Sequence, residues 1–420
     1  MKKIYGKNIN KKLKILIISQ YFWPENFRIN ELCEELIKLG HEITILTGYP
    51  NYPKGKFYED FIRDREKFST YNGAKIIRVP IFPRLNNRLT LTINYLSFLF
   101  SSIFFGYFKL RNKNFDILFT FQLSPVTVGI TSAFFSFIKN CPSIFWVLDL
   151  WPDTLIALNI IKRNWQIKIF KLLVNWIYKN CDAILAQSES ILDEIRKYPS
   201  VPQKTLYFPC WSESNLFKNN ITYAPEIKKK KLFTFLFAGN IGEAQDFKSI
   251  IKAVNIIVSK NIFNFRIIII GEGSKKNWLK KEIYNLKISK YFEILDSYPI
   301  ERMPSFFKHA DALLVSLLNK EVFNITIPGK IQFYLTSGIP IFGMLSGEGA
   351  KVIINSKSGL VCESGDYISF AKILTKIINS DKSTLKAMGK NGKKYASQEF
   401  SKALLIKKLD QIINDLTIKK

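Results

Sequence analysis

Short apolar runs alternate with longer stretches in which apolar residues return every three or four positions, the pattern of parallel strands covered by helices on both faces. In the first half of the chain the runs fall at 13–18, 43–46, 76–79, 116–121, 143–147 and 182–186. Between the first two, Ile29, Leu32, Cys33, Leu36 and Ile37 keep helical spacing, and Gly40 supplies the stop. The pattern restarts at 233–238, which runs straight into Gly239, and continues at 266–270, 291–295, 311–317, 340–343 and 359–362. A chain of 420 residues exceeds one ordinary core. The expected fold is α/β, with two Rossmann-like doubly wound domains facing a cleft. The weakly patterned stretch from Pro209 to Lys231, holding Pro225 and the run Lys228 to Lys231, reads as a solvated linker. The expected domains are 1–212 and 213–397. Helical spacing from Ser401 to Leu416 marks a terminal helix in 398–420, with the first domain as a surface to pack on.

The 62 basic and 34 acidic residues leave a net charge of +28, which raises the question of an anionic partner. Lysines are scattered through every helix among many Asn, Ile and Phe residues, as AT-rich coding produces, and a further pair ends the chain at Lys419 and Lys420. No aromatic-basic motif of the nucleic-acid binders appears, so nucleic acid is not an expected partner. The five cysteines, Cys33, Cys141, Cys181, Cys210 and Cys362, are widely spaced and odd in number. Neither a zinc site nor a disulfide framework follows from them, which fits a reducing cytoplasm. The basic, polar start from Met1 to Lys14 leads into a run of strand length with no cleavage site, so no secretory signal is read there.

One segment changes that picture. Leu89 to Leu110 reads LTLTINYLSFLFSSIFFGYFKL, nearly uncharged and flanked by Arg84, Arg88, Lys109 and Arg111. Its length suits a membrane span, which needs about 20 residues. Thr90, Thr92, Asn94, Ser97, Ser101 and Ser102 interrupt it. Two readings stay open ahead of a span: a helix lying in a membrane interface with basic flanks, and a helix buried against the sheet.

Ligands of open α/β sheets bind beyond the carboxyl ends of the strands. Four glycine turns stand there in the second half. Gly239-Asn240-Ile241-Gly242 leads through Gln245 into a helical stretch, and glycine with free helix N–H groups makes an anion site suited to a diphosphate. Gly271-Glu272-Gly273-Ser274 follows the next run. Ile327-Pro328-Gly329-Lys330 places proline at a helix start and a lysine in the first turn, where it opposes the helix dipole unless an anion sits nearby. Gly347-Glu348-Gly349-Ala350 offers an acid for sugar hydroxyls or for a helix cap. In the first half the loops Trp23-Pro24-Glu25-Asn26-Phe27-Arg28 and Leu148-Asp149-Leu150-Trp151-Pro152-Asp153 put Glu25, Asn26, Arg28, Asp149 and Asp153 beside aromatic rings, a surface suited to a pyranose, although helix capping is the other reading. His41 and His309, the only histidines, lie away from strand ends, and no Ser-His-Asp or metal constellation occurs.

Seven blocks in order carry a resemblance: SQYFWPENFRINEL (19–32), GHEITILTGYPNYPKGKFY (40–58), FWVLDLWPDTL (145–155), FLFAGNIGEAQDF (235–247), ERMPSFFKHADALLVSL (301–317), TIPGKIQFYLTSGIPI (326–341) and GEGAKVI (347–353). Together they resemble the retaining glycosyltransferase family 4 of GT-B fold, and within it the branch of colanic acid, O-antigen and capsule enzymes similar to N-acetylfucosaminyltransferases. The resemblance implies transfer of a sugar, N-acetyl-L-fucosamine or a related amino sugar, from a UDP-sugar onto a lipid-linked or saccharide acceptor. It implies a diphosphate held by Gly239, Asn240, Gly242, Gln245, Gly329 and Lys330. The nucleoside would lie beside Gly271, Glu272, Gly273 and Ser297, and the donor sugar beside Glu348, Gly349 and Ala350. Lys330, Asp149 and Glu348 are the implied catalytic residues, with Glu25, Asn26, Arg28 and Asp153 on the acceptor side. No tightly bound cofactor and no metal is implied, because lysine and helix N-termini neutralise the leaving diphosphate. The implied partners are the nucleotide-sugar, an undecaprenyl-diphosphate-linked saccharide and the inner membrane surface, with the protein peripheral on its cytoplasmic face.

Two departures bear on mechanism. Many members carry two glutamates eight residues apart, whereas here Phe333 stands at the second position and only Glu321 lies near the first. Many carry histidine before the first-domain aspartate, where this chain has Leu148. Catalysis is therefore expected to rest on donor positioning and leaving-group stabilisation. A UDP-sugar 2-epimerase of the same fold and a non-enzymatic basic membrane- or nucleic-acid-binding protein are the alternatives.

Overall fold

The computed structural model describes residues 12–85, 87–157, 160–217 and 221–418. The Lys419–Lys420 pair and most of the polar start lie outside them. Two compact units result. The first takes the described residues up to Gln187, Ile191–Phe208 and the tail from Leu405, and the second takes Ser188–Ser190 and Pro209–Leu404.

The first unit holds an 8-stranded sheet of β1 (Lys14–Ile18), β2 (Glu42–Gly48), β3 (Thr70–Tyr71), β4 (Ala74–Val79), β5 (Ile117–Gln122), β6 (Ser143–Val147), β7 (Ala183–Ala186) and β8 (Lys204–Tyr207). Their order is β3-β4-β2-β1-β5-β6-β7-β8, parallel except for the β3–β4 pair. The short edge strands β3 and β8 escape the apolar-run reading, because neither carries a run long enough to register. The helices are α1 (Arg28–Lys38), α2 (Glu59–Arg63), α3 (Arg88–Leu110), α4 (Val128–Lys139), α5 (Asp153–Ala157), α6 (Asn164–Lys179) and α7 (Glu189–Arg196).

Leu46, Ile18, Thr120 and Phe145 pair side by side across β2, β1, β5 and β6, so they point to one face of the sheet. Helix α3 meets that row at Leu46, where Gly106 leaves room for its methyls. Helix α4 meets it at Thr120, whose hydroxyl donates to Ser132 Oγ at 2.7 Å. Helix α6 meets it at Phe145, with the Tyr178 ring 6.4 Å away. These three helices thus cover one face, with α4 packed against both of the others.

Helix α3 buries Asn94 and Ser102 beside Phe98, Leu99 and Leu110 on its inner face and keeps an apolar stripe on its outer face. Asn94 and Ser102 are fully buried. Asn94 accepts from Gln20 Nε2 at 2.7 Å and donates to the Phe82 carbonyl, while Ser102 shares a 2.8 Å bond with Thr131. Leu89, Phe100 and Phe104 are 70%, 67% and 59% exposed. The reading of a helix buried against the sheet holds for the inner face, which packs on β2, β4 and α4, and not for the outer one.

The second unit holds a 6-stranded parallel sheet of β9 (Phe233–Ala238), β10 (Phe265–Ile270), β11 (Phe292–Leu295), β12 (Ala312–Ser316), β13 (Ile341–Met344) and β14 (Gly359–Cys362). Its order is β11-β10-β9-β12-β13-β14. Strand order reverses direction between β9 and β12, the switch point where such sheets take ligands. Its helices are α8 (Phe247–Ser259), α9 (Lys276–Asn285), α10 (Met303–Phe307), α11 (Glu321–Asn324), α12 (Gly329–Ser337), α13 (Glu348–Asn355), α14 (Tyr367–Ile378) and α15 (Lys382–Glu399). The last helix, α16 (Lys402–Ile418), belongs from Leu405 onward to the first unit, where Asp410 Oδ1 lies 2.8 Å from His41 Nε2.

Much of the stretch expected to be a solvated linker is packed in the second unit. Ala224 and Ile227 are buried, the Ala224 amide donates to the Ser305 carbonyl, and Glu226 takes both Arg302 terminal nitrogens at 2.7 and 3.0 Å. Its apolar residues are too few to show periodicity but enough to anchor it.

Candidate functional site

The site begins where β9 loses one neighbour. Strand β12 pairs with β9 only at Phe235 and Leu236, so the last residue of β9 needs other partners. Tyr334 supplies them: the Ala238 amide donates to its hydroxyl at 2.8 Å, and the hydroxyl donates to the Ala238 carbonyl at 3.1 Å. This double bond fastens α12 to the point where the chain enters Gly239. Lys330 lies one turn earlier on the same helix, so fixing Tyr334 also fixes Lys330.

The Lys330 ammonium is buried and has no hydrogen-bond partner among the described residues. It lies 3.7 Å from the centroid of the Phe237 ring, whose face attracts a cation. Burial pushes its pKa down to about 7. A solvated lysine was the alternative reading of this residue, and it does not fit a sealed ammonium. Gly239, at φ +136°, completes the contact, because a Cβ there would stand 3.2 Å from Lys330 Nζ.

The glycine turns expected to bind anions divide into two kinds. In the first kind the backbone groups are already used. The Gly239 amide donates to the Ile270 carbonyl, Ile241 to Glu272 O at 2.7 Å, and Gly242 to Gln245 Oε1 at 3.1 Å. Asn240 Nδ2 also approaches Gln245 Oε1, at 3.4 Å. Helix α8 starts only at Phe247, behind a short 3₁₀ turn, and Asp246 caps it by accepting from Ser249 N. The expectation that residues 239–242 present a free helix start is therefore corrected: an aspartate already occupies that end. What the glycines provide is close approach, since a Cβ at Gly271 would stand 1.9 Å from the Gly239 carbonyl oxygen. Gly273 likewise abuts Ile241 O.

In the second kind the helix ends are open. Pro328 and Gly347 give α12 and α13 no side-chain cap, so the first two amides of each helix lack helical partners, while Ile331 N turns back to the Pro328 carbonyl at 2.9 Å. The two ends adjoin, because a Cβ on Gly349 would stand 3.0 Å from both Pro328 Cδ and Ile331 Cδ1. Gly329 is exposed and Ala350 is buried. Glu348, at the start of α13, is buried, and its Oε1 accepts from Ser190 Oγ at 2.6 Å and Lys351 Nζ at 2.8 Å. Glu272 and Asp296 share Lys276, and Ser297 is exposed just beyond Asp296. A cation and two adjoining positive helix ends thus stand at the β9/β12 switch point, an arrangement suited to a multiply charged anion such as a diphosphate.

The first-unit candidates differ among themselves. Glu25 is 1% exposed, and its carboxylate accepts the amides of Asn51 (2.8 Å), Tyr52 (2.7 Å) and Phe22 (3.3 Å). Burial nevertheless pushes its pKa up to about 7. It is a brace between two loops, which corrects its expected role as a contact surface: its carboxylate is taken up by these three amides. Asp149 accepts from Thr154 Oγ1 and Trp151 Nε1, and burial raises its pKa. Asn26 is exposed, Arg28 is ion-paired with Glu31 at 3.2 Å, and Asp153 opens α5 and lines a groove of about 560 Å³ with Asn164 and Lys168. Sequence reading missed Phe237, Tyr334 and Ser190. Only Tyr334 carried a signal, its four-residue spacing from Lys330.

Comparison with known proteins follows the same division. Residues 27–211 match the family described as Glycosyltransferase Family 4, and residues 220–395 match Glycosyl transferases group 1. The chain is 21% identical over 350 residues to a protein of Pseudomonas aeruginosa named as the glycosyltransferase WbjE, covering 80% of this chain and 83% of that one. It is 23% identical over 346 residues to WcaI of Escherichia coli (strain K12), named for a glycosyl transferase role in colanic acid biosynthesis, covering 78% and 82%. Among solved structures, Anabaena HepE in complex with UDP and glucose superposes with a TM-score of 0.67 at 12% identity, over 96% of this chain and 100% of that one. At that identity the likeness is one of fold.

Proposed function

We propose that this chain, which is a family 4 glycosyltransferase of the GT-B fold, moves a sugar from a UDP-sugar onto a lipid-linked acceptor with retention of anomeric configuration. Two of its relatives are named for colanic acid and capsular polysaccharide biosynthesis. For this chain the donor sugar is an amino sugar of the N-acetyl-L-fucosamine type and the acceptor an undecaprenyl-diphosphate-linked saccharide. The observation that carries the reading is the buried, unpartnered Lys330 ammonium between Gly239 and the open end of α12. A cation held without a counter-charge awaits an anion, and HepE, a structural neighbour, is seen with UDP.

Bond cleavage at the anomeric carbon leaves negative charge on the diphosphate, and groups fixed in advance against that charge lower the barrier. Lys330 and the first-turn amides of α12 and α13 play that part, so the reading needs no metal. Glu348, held by Ser190 and Lys351, accepts hydroxyls of the donor sugar. The Gly271–Gly273 turn and Ser297 border the nucleoside. Asn26, Arg28, Asp149 and Asp153 are the acceptor-side residues. The exposed aromatic stripe of α3 lies in the membrane interface, holding the protein on the cytoplasmic face where such acceptors reside. A true span does not suit α3, because it packs on β2, β4 and α4.

The test offers undecaprenyl-linked acceptors a panel of UDP- and GDP-sugars and reads the product by mass spectrometry, with its linkage by NMR. Transfer from a UDP-amino sugar with retention is the expected result. Turnover with GDP-sugars alone, or an inverted product, overturns the reading.

A further inference from the structure

Helix α6 carries an outward stripe that no sequence reading singled out. Trp165, Ile169, Leu172 and Trp176, spaced at i, i+4, i+7 and i+11, are 56%, 54%, 62% and 46% exposed. On α3 the stripe Leu89, Ile93, Leu96, Phe100, Phe104 and Phe108 repeats the same spacing. Both helices stand on one face of the first sheet, as the Leu46-Ile18-Thr120-Phe145 row requires. Between them the last turn of α4 carries Phe137, which is 85% exposed.

We infer that α6 is a second membrane-binding helix, and that with α3 it forms a two-helix footprint for an anionic lipid surface. The inference rests on the membrane reading of α3 given above. Charge selects the occupant. No aspartate or glutamate occurs in α3, α4 or α6, while Lys168, Lys171 and Lys179 accompany the α6 stripe and Lys109 and Lys139 stand on its neighbours. Apolar residues that enter an interface, tryptophans that favour headgroup depth and lysines on helices without acids together describe a surface for anionic lipid, with Asp153 and Glu194 sharing the groove on the α7 side of Lys168 and Lys171. The three helices that cover this face of the sheet carry no acid, as a surface for anionic lipid requires and a protein partner does not. The footprint differs in kind from a single amphipathic helix, because two stripes separated by α4 fix the rotation of the unit about the membrane normal as well as its depth.

The experiment is flotation of the full-length protein with phosphatidylcholine vesicles, with or without phosphatidylglycerol. Three variants are compared with wild type: Trp165→Ser/Trp176→Ser, Lys168→Gln/Lys171→Gln and Phe100→Ser/Phe104→Ser. The aromatic and lysine positions chosen are surface positions, and circular dichroism with thermal unfolding verifies that each variant folds. The lysine variant is expected to lose roughly 25-fold in binding to anionic vesicles, since each of the two lysines near such a surface contributes roughly fivefold, with little change on phosphatidylcholine alone. The tryptophan variant is expected to lose binding to both, and brominated lipid should quench wild-type fluorescence more than that of Trp165→Phe/Trp176→Phe. If the α3 variant fails to float while both α6 variants float like wild type, the α6 inference falls and the α3 reading stands. If wild type itself does not float, both fall. If the α6 variants dissociate a wild-type dimer in lipid-free solution and leave flotation unchanged, the stripe is a contact between copies and the inference is overturned.

Discussion

The strand-end loops of the two units differ in how their charges are used. After β1 the carboxylate of Glu25 is consumed by three backbone amides, and after β6 Asp149 is held by Thr154 and Trp151. After β9 and β12, by contrast, the Lys330 ammonium is buried with no hydrogen-bond partner among the described residues. A buried ionisable group with a full set of partners is explained by the fold; one without partners costs free energy in the free protein and is explained by a ligand. The comparison therefore separates structural from functional charge without reference to residue type. It also explains why the acid-rich loops of the first unit, which attract attention in sequence, hold less open chemistry than a single lysine of the second.

The largest test removes that lysine. Lys330→Ala is expected to lower kcat/KM by roughly 10²–10³, the usual effect of deleting one group that stabilises developing negative charge. Its thermal unfolding should not shift downward, because the substitution removes a buried charge with no native hydrogen bond. Unimpaired turnover, or a marked loss of stability with turnover retained, would place Lys330 on the structural side of the comparison.

Glu25→Ala probes the opposite case. Orphaning the Phe22, Asn51 and Tyr52 amides is expected to cost about 3 kcal/mol of stability, read as a lower midpoint in urea, with donor affinity per folded molecule close to wild type. The carboxyl also has a pH signature. Its folded pKa, about 7, lies above its ordinary value of 4.5. Its share of stability is therefore present below that ordinary value and is lost as pH rises through about 7. Comparing wild type with Glu25→Ala between pH 5 and 8 should show the gap between them narrowing as pH rises, and a gap that widens contradicts the burial argument.

How far all this was legible in the sequence depends on what kind of fact is at stake. The central strands were readable because β5, β6, β9 and β10 are buried on both faces and so appear as unbroken apolar runs. The edge strands β3 and β8 have no such requirement and left no trace. The glycines at 239, 271 and 347 were readable as turns, but their use was not: Gly271 serves the approach of one loop to another, and nothing in its neighbours says which carbonyl it must clear. Asp246 as a cap was hidden by the 3₁₀ turn that delays α8. Lys330 was visible as a lysine at a helix start, whereas its isolation depends on Phe237 and Gly239, which lie some ninety residues earlier and meet it only in the folded sheet. The α6 stripe was masked by its lysines, which give the helix an ordinary amphipathic look until exposure shows that its outer face is the apolar one.

A smaller effect is expected from Tyr334→Phe. Losing both bonds to Ala238 should cost about 1–2 kcal/mol, and the freed end of α12 should raise donor KM more than it lowers kcat. In the Lys330→Ala background the KM effect should vanish, because Tyr334 acts through the lysine it positions. Additive effects in that double-mutant cycle would mean that the clamp supports the strand alone.

The finest test counts protons. Burial holds the Lys330 pKa near 7, so at pH 8 most of the unliganded protein carries a neutral amine there. A bound diphosphate stabilises the ammonium and moves that pKa upward, so binding UDP at pH 8 must draw a proton from solution. Titration calorimetry in buffers of different ionisation heat is expected to show uptake approaching one proton per site, with affinity falling as pH rises above about 7. Lys330→Arg keeps the charge but cannot shed it, so uptake should disappear while binding persists. UDP itself is fully ionised at pH 8 and adds nothing to the difference between the two proteins. If uptake is equal in both, the proton belongs to another group and Lys330 is not the counter-charge of the diphosphate.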